Sequence, residues 1–199
     1  MKILIDNGHG KETPGKRSPD GKFREYLYTR EIAEAIEKEL QSLGIDAERI
    51  VQEIEDITLE ERVRRVNDIC NELGSSNVVF ISIHCNASKN REWGTARGWS
   101  AYTTKGTTMS DELATMLYLE AAKNFSGQTI RKDFSDGDPD WEEGFYVLRK
   151  TKCPAVLIEN FFMDNKKDLE YLISDAGRKA IIKTHVDALI NWVNKYGKD

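Results

Sequence analysis

The sequence predicts an α/β fold, with a single domain built on a mostly parallel, twisted sheet that has helices on both faces. Short apolar runs of strand character alternate along the chain with longer segments whose apolar residues recur at three- and four-residue steps. Such alternation is typical of parallel sheets, because the connection between two parallel strands usually contains a helix. The 199 residues show no repeat and no linker, so we predict one domain over residues 1–199.

The first half of the chain is predicted to hold three strands and two helices. The strands are expected at 2–6, 45–51 and 78–83. The first helix is predicted at 26–43, where apolar residues at helical spacing end at Gly44. The second helix is predicted to begin at the capping box Thr58-Leu59-Glu60-Glu61 and to end at residue 73.

The second half is predicted to continue the alternation. Strands are expected at 94–104, 145–148 and 155–158, and helices at 111–125, 166–172 and 176–196. Residues 126–144 are polar and rich in Gly, Ser and Asp, so we predict a long loop. Loops of this length in a compact domain are usually functional or mobile, which leaves open whether this one gates a site.

Composition and charge exclude several classes of function. The chain has 29 Lys and Arg residues against 34 Asp and Glu residues, a net charge of −5, and no dense basic cluster. We therefore expect no nucleic acid partner. No apolar run approaches the roughly 18 residues of a membrane span, so none is expected. The amino terminus lacks the pattern of a secretory signal. We also expect the protein to be a monomer.

Three cysteines offer neither a metal site nor a disulfide framework. Cys70, Cys85 and Cys153 are widely spaced and form no C-x-x-C pair. Cys85 follows His84, but neighbouring side chains of a strand point to opposite faces, so the two are not expected to reach one ion. We predict three small core residues in a chain that folds under reducing conditions.

Three predicted strands end in side chains that suit a metal or acid–base site. One strand ends in Asn7-Gly8-His9-Gly10, another in His84-Cys85-Asn86 and a third in Glu159-Asn160. In open α/β sheets, ligands bind in the crevice outside the carboxyl ends of the strands. We therefore predict that these three segments build one site.

Two of the three histidines are candidates for metal ligands. Catalytic zinc is commonly held by two histidines and one carboxylate, with a fourth position left for water. His9 and His84 follow strands, whereas His185 lies among apolar residues of the last helix and is expected to be packed or half-exposed there, not to bind metal. Glu25 is the strongest carboxylate candidate, since it follows the loop that must fold back from His9. The residues alone leave open whether Glu25 binds metal or is simply an acid at a helix amino terminus.

Three further polar residues are candidates for roles at this site. Glu159 ends an apolar strand, where an unpaired charge is costly, so it must hydrogen-bond, pair or bind metal. The alternative is a structural acid bonded to loop amides. Asp6 and Asn86 are near enough in sequence to orient His9 and His84. The alternatives are a turn-forming residue for Asp6 and a strand-end cap for Asn86.

Six segments, taken in order, resemble a known family. They are residues 5–10 (Ile-Asp-Asn-Gly-His-Gly), Glu25, Leu59-x-x-Arg62-x-x-x-x-Asn67, Ser82-Ile83-His84-Cys85-Asn86-Ala87, Phe145-Tyr146-Val147-Leu148-Arg149 and Pro154-Ala155-Val156-Leu157-Ile158-Glu159. They resemble the zinc-dependent N-acetylmuramoyl-L-alanine amidases of the Amidase_3 type, which are peptidoglycan hydrolases of bacteria and phages. The segments span nearly the whole chain, and their order and spacing together are specific.

The resemblance implies a zinc amidase. In the pattern of this family, His9, Glu25 and His84 are the zinc ligands and Glu159 is the catalytic acid–base. The implied substrate is peptidoglycan, cut between the lactyl group of N-acetylmuramic acid and L-alanine. The implied place of action is the cell wall, the periplasm or the outside of the cell. Because no secretory signal is evident, we expect a removed leader or release of the phage type.

The sequence departs from the family pattern in four places. Lys11 stands where a second glycine is usual, and Cys85 stands at a common alanine position. The segment Asn160-Phe161-Phe162 lacks the glycine often found before the phenylalanine, and the loop 14–19 is distinctive. None of these changes removes an implied ligand, but they leave the preferred type of peptidoglycan open.

Several aromatic residues are candidates for a substrate groove, namely Trp141, Tyr102 and Tyr146. Trp99 and Tyr102 fall on opposite faces at strand spacing, so at least one of them is expected in the core. Trp141, in the polar loop, is the better groove candidate.

Two rival functions remain open at this stage. One is another zinc amide hydrolase, such as a peptidase acting on the stem peptide or a polysaccharide deacetylase. The other is a catalytically silent wall-binding module, against which the presence of all four implied site residues argues.

Overall fold

The computed structural model describes residues 1–88 and 92–197, in which a six-stranded sheet is flanked by helices. The strands are β1 (Lys2–Asn7), β2 (Asp46–Arg49), β3 (Val78–Asn86), β4 (Ser100–Thr103), β5 (Trp141–Glu142) and β6 (Ala155–Phe162). The helices are α1 (Glu25–Ser42), α2 (Leu59–Leu73), α3 (Met109–Asn124), α4 (Tyr146–Lys150), α5 (Lys166–Ile173) and α6 (Asp175–Tyr196). Within the described residues, no helix is long and apolar enough to cross a membrane.

The sheet is mostly parallel, which confirms the predicted fold class. Its strand order is β2-β1-β3-β6-β4-β5. The strands β2, β1, β3 and β6 run parallel to one another, whereas β4 pairs antiparallel to β6 and parallel to β5. The carboxyl ends of the three central strands, β1, β3 and β6, therefore lie side by side at one edge.

Side chains of the central strands alternate between two apolar layers, as the strand period of two requires. One layer includes Ile5, Ile81 and Ile158 and is covered by α1, α3, α5 and α6. The other layer includes Leu4 and Phe80 and is covered by α2 and α4. Helices thus cover both faces, as predicted. All three cysteines are buried and free, which confirms their prediction as core residues.

The structure corrects the strand predicted at 145–148, which is the start of α4. The aromatic and β-branched residues of this segment fit a strand in composition. However, Val147 and Leu148 are neighbours in sequence and both are buried against α2, which a strand with one face on the core does not allow. The N–H of Arg149 donates to the carbonyl of Phe145 at 3.0 Å, which closes the helical turn.

The predicted loop 126–144 contains a small amount of sheet structure. The two-residue strand β5 lies near its end and pairs with β4. Ile130 forms an isolated bridge with Trp99. The other predicted helices and strands are present, with ends that differ by a few residues. The predicted strand at 94–104 is the most shortened, because only four of its residues join the sheet.

Candidate metal centre

The strands β1, β3 and β6 bring three of the predicted site residues to one place. In the register of β3 and β6, His84 lies opposite Glu159, so both side chains point to the same face. Asn7 at the end of β1 lies opposite Ile83 of β3. The turn Gly8-His9-Gly10 that follows β1 therefore passes beside His84.

Close approach explains why His9 stands between two glycines. A Cβ atom at Gly8 would lie 2.2 Å from Cε1 of His84, and one at Gly10 would lie 2.2 Å from Cα of Asp56. His9 itself has a φ of 65°, in the left-handed region that costs a residue other than glycine about 1–2 kcal/mol. The turn accepts this strain and directs the imidazole of His9 toward β3.

Glu25 reaches the centre as the first residue of α1. The preceding loop folds back on itself through a bridge between Arg17 and Arg24. The N–H of Glu25 donates to the carbonyl of Lys16 at 3.1 Å, which fixes the start of the helix. The Glu25 side chain is fully buried, and its Oε1 accepts the backbone N–H of Cys85 at 3.0 Å.

Three side-chain atoms form a nearly equilateral triangle. Nδ1 of His84 lies 3.1 Å from Nε2 of His9 and 3.3 Å from Oε1 of Glu25. Nε2 of His9 lies 3.4 Å from Oε1 of Glu25. A tetrahedral zinc ion with bonds of about 2.0–2.1 Å places neighbouring ligand atoms about 3.3 Å apart. The donor set and its spacing therefore fit a zinc ion.

The protonation states of Glu25 and His9 suit metal binding, whereas a metal ion at His84 must compete with a proton. Burial raises the pKa of Glu25, but hydrogen bonds and charge from His84 and His9 outweigh it and hold this pKa well below its usual range. Burial lowers the pKa of His9. Burial also lowers the pKa of His84, but hydrogen bonding to Glu25 and the charge of Glu159 give a net rise. An ionised carboxylate and a neutral imidazole are the forms that bind metal.

Ser82 and Asp6 determine which nitrogen of His84 carries the proton. The hydroxyl of Ser82 donates its only proton to Oδ2 of Asp6 at 2.6 Å. Ser82 Oγ therefore accepts from Nε2 of His84, 3.1 Å away. With the proton on Nε2, the lone pair of Nδ1 faces the centre. Asp6 acts on His9 less directly: its ion-pair partner Arg62 donates to the carbonyl of His9 at 3.1 Å.

The candidate Asn86 does not join the centre, and neither does His185, which was expected to stay outside it. The side-chain oxygen of Asn86 accepts a hydrogen bond from the backbone N–H of Ala87 at 2.9 Å. The backbone carbonyl of Asn86 accepts one from the N–H of Met163 at 2.9 Å. Within the described part of the chain, Asn86 bonds to neither histidine, which matches its alternative interpretation as a strand-end cap. His185 is fully buried in α6, where Nδ1 donates to the Ile181 carbonyl at 2.7 Å, so its predicted packing is confirmed.

Glu159, a residue of β6, lies beside the three candidate ligands. Its Oε2 is buried and has no hydrogen-bond partner among the residues that the structure describes. Burial raises the pKa of Glu159 to about 7, with the charge of His84 opposing the rise and that of Glu25 adding to it. A carboxyl group with a pKa near neutrality suits a general base that later acts as an acid.

A cleft of about 440 Å³ opens onto the centre and includes His9, His84 and Glu159 in its lining. Among the predicted groove residues, only Tyr146 lines this cleft, where it lies next to Phe145. Tyr102 is buried, with its ring 5.5 Å from that of Phe145. Trp141 is half-buried, pairs with Tyr102 across β4 and β5, and lies outside the lining. Trp99 is in the opposite layer, as strand spacing predicts.

Sequence reasoning assigned no role to four residues at this site. Ser82 stands two positions before His84, and this spacing alone places both on one face of β3. Arg62 belongs to a segment that resembles the family, but its partner Asp6 is evident only in the fold. Lys16 lines the cleft from the loop 14–19, and Phe145 lines it from the segment that was predicted as a strand and forms the start of α4.

Comparisons with known proteins agree with this geometry. The family profile described as N-acetylmuramoyl-L-alanine amidase matches residues 3–191. N-acetylmuramoyl-L-alanine amidase CwlM of Bacillus licheniformis is 30% identical over 199 residues, which cover 98% of this chain and 69% of CwlM. The endolysin of Bacillus phage SPP1 is 24% identical, over 96% of this chain and 66% of the endolysin. The chain spans about half to two thirds of the length of several such relatives.

Solved structures show the same architecture. An N-acetylmuramoyl-L-alanine amidase from Clostridium difficile 630 matches with a TM-score of 0.79 and 26% identity, over 98% of each chain. The catalytic domain of CwlV from Bacillus (Paenibacillus) polymyxa matches with a TM-score of 0.80 and 23% identity, over 97% of this chain and 98% of CwlV. Because the family profile covers almost the whole sequence, the chain belongs to the N-acetylmuramoyl-L-alanine amidase family.

Proposed function

We propose that this chain is a zinc-dependent amidase that hydrolyses the bond between the lactyl group of N-acetylmuramic acid and L-alanine in peptidoglycan. The observation that carries the proposal is the triangle of His9, Glu25 and His84, with Glu159 beside it at the base of an open cleft. Family membership supports the substrate, and the donor set supports the metal. The proposed place of action is the cell wall, the periplasm or the outside of the cell.

Each of the three candidate ligands would contribute one atom to the coordination of the ion. His9 would bind through Nε2, His84 through Nδ1 and Glu25 through a carboxylate oxygen. When bound, zinc supplies Lewis-acid polarisation of a carbonyl group and lowers the pKa of a water molecule to about 7. Ser82 keeps the proton of His84 on Nε2, and the buried carboxylate of Glu25 supplies the negative charge that a divalent cation requires.

Glu159 moves the proton in the proposed reaction. Its carboxylate takes a proton from the attacking water, whose oxygen bonds to the lactyl carbonyl carbon. The carbon–nitrogen bond then breaks, and Glu159 gives the proton to the departing amine of L-alanine. A pKa of about 7 makes both forms of Glu159 accessible near neutral pH. Positioned acid–base catalysis of this kind contributes about 10²- to 10⁴-fold to the rate.

The walls of the cleft position the substrate in this proposal. Phe145 and Tyr146 provide an aromatic wall that can pack against a sugar or a peptide. Lys16 also lies in the lining, and its charge lowers the pKa of Glu159 against the effect of burial.

Digestion of purified sacculi tests the proposed reaction. The chain loaded with zinc should release new amino termini that begin with L-alanine, which mass spectrometry of the products identifies. Cuts within the stem peptide would favour a peptidase, and release of acetate would favour a deacetylase. Binding to sacculi without any new end would favour a silent module.

A Glu159→Gln variant separates proton transfer from metal binding. We expect it to keep one zinc ion per chain and to lose activity by about 10²- to 10⁴-fold. Glu143→Gln is the matched control, because Glu143 is exposed and lies outside the cleft lining. Activity of the Glu159→Gln variant close to that of the unmodified chain would exclude the proposed role of this residue.

A further inference from the structure

A second group of acidic side chains lies at the edge of the sheet formed by β4 and β5. Asp111 lies in the first turn of α3, and Asp138 and Asp140 lie just before β5. One carboxylate oxygen of each residue lies within 4.8 Å of those of the other two. Asp111 is 6% exposed and Asp140 is 1% exposed, while Asp138 is half-buried. Two of the three carboxylates are therefore largely removed from water.

Thr103, at the end of β4, lies between two of these carboxylates. Its Oγ1 is 2.6 Å from Oδ2 of Asp140 and 2.8 Å from Oδ1 of Asp111. A hydroxyl group carries one proton, so it can donate to only one of the two oxygens at a time. The contact between the Thr103 oxygen and the other carboxylate then has no proton, and it is favourable only if a further positive charge or proton lies nearby.

The remaining oxygen of Asp140 lacks a partner. Its Oδ1 is buried and forms no hydrogen bond within residues 1–88 and 92–197. Burial, the close carboxyl group of Asp138 and the charge of Asp111 together raise the pKa of Asp140 to about 8, while the hydrogen bond from Thr103 opposes the rise. A buried charge is costly unless it is paired or coordinates a metal. The unpartnered oxygen and the crowding of acids thus both indicate a positive charge that these side chains do not supply, either a shared proton or a bound cation.

We propose that Asp111, Asp138 and Asp140, together with the hydroxyl of Thr103, bind a hard divalent cation, with Ca²⁺ as the best fit. All the donors are oxygen atoms, which suit Ca²⁺ or Mg²⁺, in contrast to the histidine-containing centre described above. Ca²⁺ accepts six to eight oxygens in flexible geometry, whereas Mg²⁺ demands a near-ideal octahedron. Asp138 is half-buried and is therefore the member of the group that water reaches most easily.

A cation at this place would join three parts of the fold. It would tie the end of the long polar segment 126–140 to the start of α3 and to the end of β4. The chain continues from Asp140 through β5 to Phe145 and Tyr146, which line the cleft of the proposed active site. Binding of the ion would therefore order the segment that leads to the aromatic wall of that cleft.

Calorimetric titration of the zinc-loaded chain with CaCl₂ tests the proposal, with MgCl₂ as a second titrant. We expect saturable binding of one Ca²⁺ per chain, weaker binding of Mg²⁺, and a Tm that rises with Ca²⁺ concentration. The Asp138→Asn variant should bind Ca²⁺ at least about tenfold more weakly, because it loses one ligand charge. Asp136→Asn, the same change at an exposed acid of the same loop, should bind as the unmodified chain does.

Two results would overturn the proposal. One is the absence of saturable Ca²⁺ binding in the unmodified chain, with a Tm that responds to pH alone, since a proton shared by the carboxylates would then replace the ion. The other is an equal affinity for Ca²⁺ in the Asp138→Asn and Asp136→Asn variants. Both results are independent of the amidase activity and of zinc binding at His9, Glu25 and His84.

Discussion

His84 depends on a hydroxyl two residues earlier in the same strand. Ser82 gives its proton to Asp6 and accepts one from Nε2 of His84. Without this acceptor, the proton of the imidazole is free to occupy Nδ1, the atom that faces His9 and Glu25. Partners of this kind are as much a part of a metal site as the ligands themselves.

The Ser82→Ala variant should bind zinc about 10- to 100-fold more weakly than the unmodified chain. The reason is the loss of the acceptor that holds the proton of His84 on Nε2. Competition against a chromophoric chelator measures the affinity. Ser100→Ala is the matched control, because Ser100 is also a buried serine of the sheet. If both variants held zinc equally well, Ser82 would have no role in positioning His84.

His185 makes the fold sensitive to acid. It is fully buried, and burial lowers its pKa to about 4. Its pKa in the unfolded chain is about 6.5, so below that pH the unfolded state binds more protons there than the folded state does. The contribution of neutral His185 to the free energy of unfolding should therefore be complete above pH 6.5. It should fall by about 2 kcal/mol at pH 5 and be lost further toward pH 4.

The His185→Asn variant should lose this part of the pH dependence, since its amide can still donate to the Ile181 carbonyl but does not titrate. Urea unfolding of both proteins at pH 7 and pH 5 measures the difference. Matched zinc content in the two samples cancels the titration of the metal centre. An identical change in the free energy of unfolding for both proteins would contradict the assignment.

At the scale of structural elements, the end of β6 is unusual. Phe161 has a φ of 62°, in the region that favours glycine. Phe161 lies within a shift of the register between β3 and β6, since Glu159 pairs with His84 and Phe162 pairs with Asn86. The ring of Phe161 is fully buried and packs on those of Phe125 and Tyr171, at 5.2 and 5.1 Å between centroids. Aromatic packing thus compensates for the strained backbone.

The Phe161→Gly variant should lower the free energy of unfolding by about 1–4 kcal/mol, because the loss of a buried Phe (about 3–5 kcal/mol) exceeds the relief of strain (about 1–2 kcal/mol). Urea unfolding at pH 7 measures the change. Phe134→Gly removes an aromatic ring that is 62% exposed and should have a much smaller effect. A Phe161→Gly variant as stable as the unmodified chain would show that the strain dominates.

Helices with a clear apolar period and the central strands were predictable from the sequence. The short elements were not. The segment 145–148 is apolar throughout, so its composition fits a strand or a helix, and packing against α2 decides between them. The strand β5 has two residues and exists only because it pairs with β4. Both elements depend on contacts with distant parts of the chain, which local patterns do not contain.

At the scale of the whole molecule, the candidate centre draws on four distant segments. The ends of three parallel strands predicted that His9, His84 and Glu159 meet at one edge. The position of Glu25 required the folded loop that is closed by the bridge between Arg17 and Arg24. Its place after that loop made Glu25 the strongest carboxylate candidate, and the resemblance to the family implied a role for it as a metal ligand. Burial of Tyr102 beneath Phe145 followed from tertiary packing alone, so the groove could be predicted only in part.

The two proposed ion sites lie at different parts of the sheet and differ in chemistry. The zinc centre uses two imidazoles and one carboxylate at the carboxyl ends of the central strands. The acidic group uses oxygen donors alone, at the edge formed by β4 and β5. Because the segment from Asp140 to Tyr146 connects the second site to the cleft, order at one site is expected to influence the shape of the other.

Anomalous diffraction at the zinc edge, from crystals of the zinc-loaded chain, tests the central claim most directly. We expect one strong peak within about 2.0–2.1 Å of Nε2 of His9, Nδ1 of His84 and a carboxylate oxygen of Glu25. The carboxylate of Glu159 should face the remaining coordination position. A zinc peak elsewhere, with these three side chains unliganded, or no peak in the cleft at all, would contradict the account.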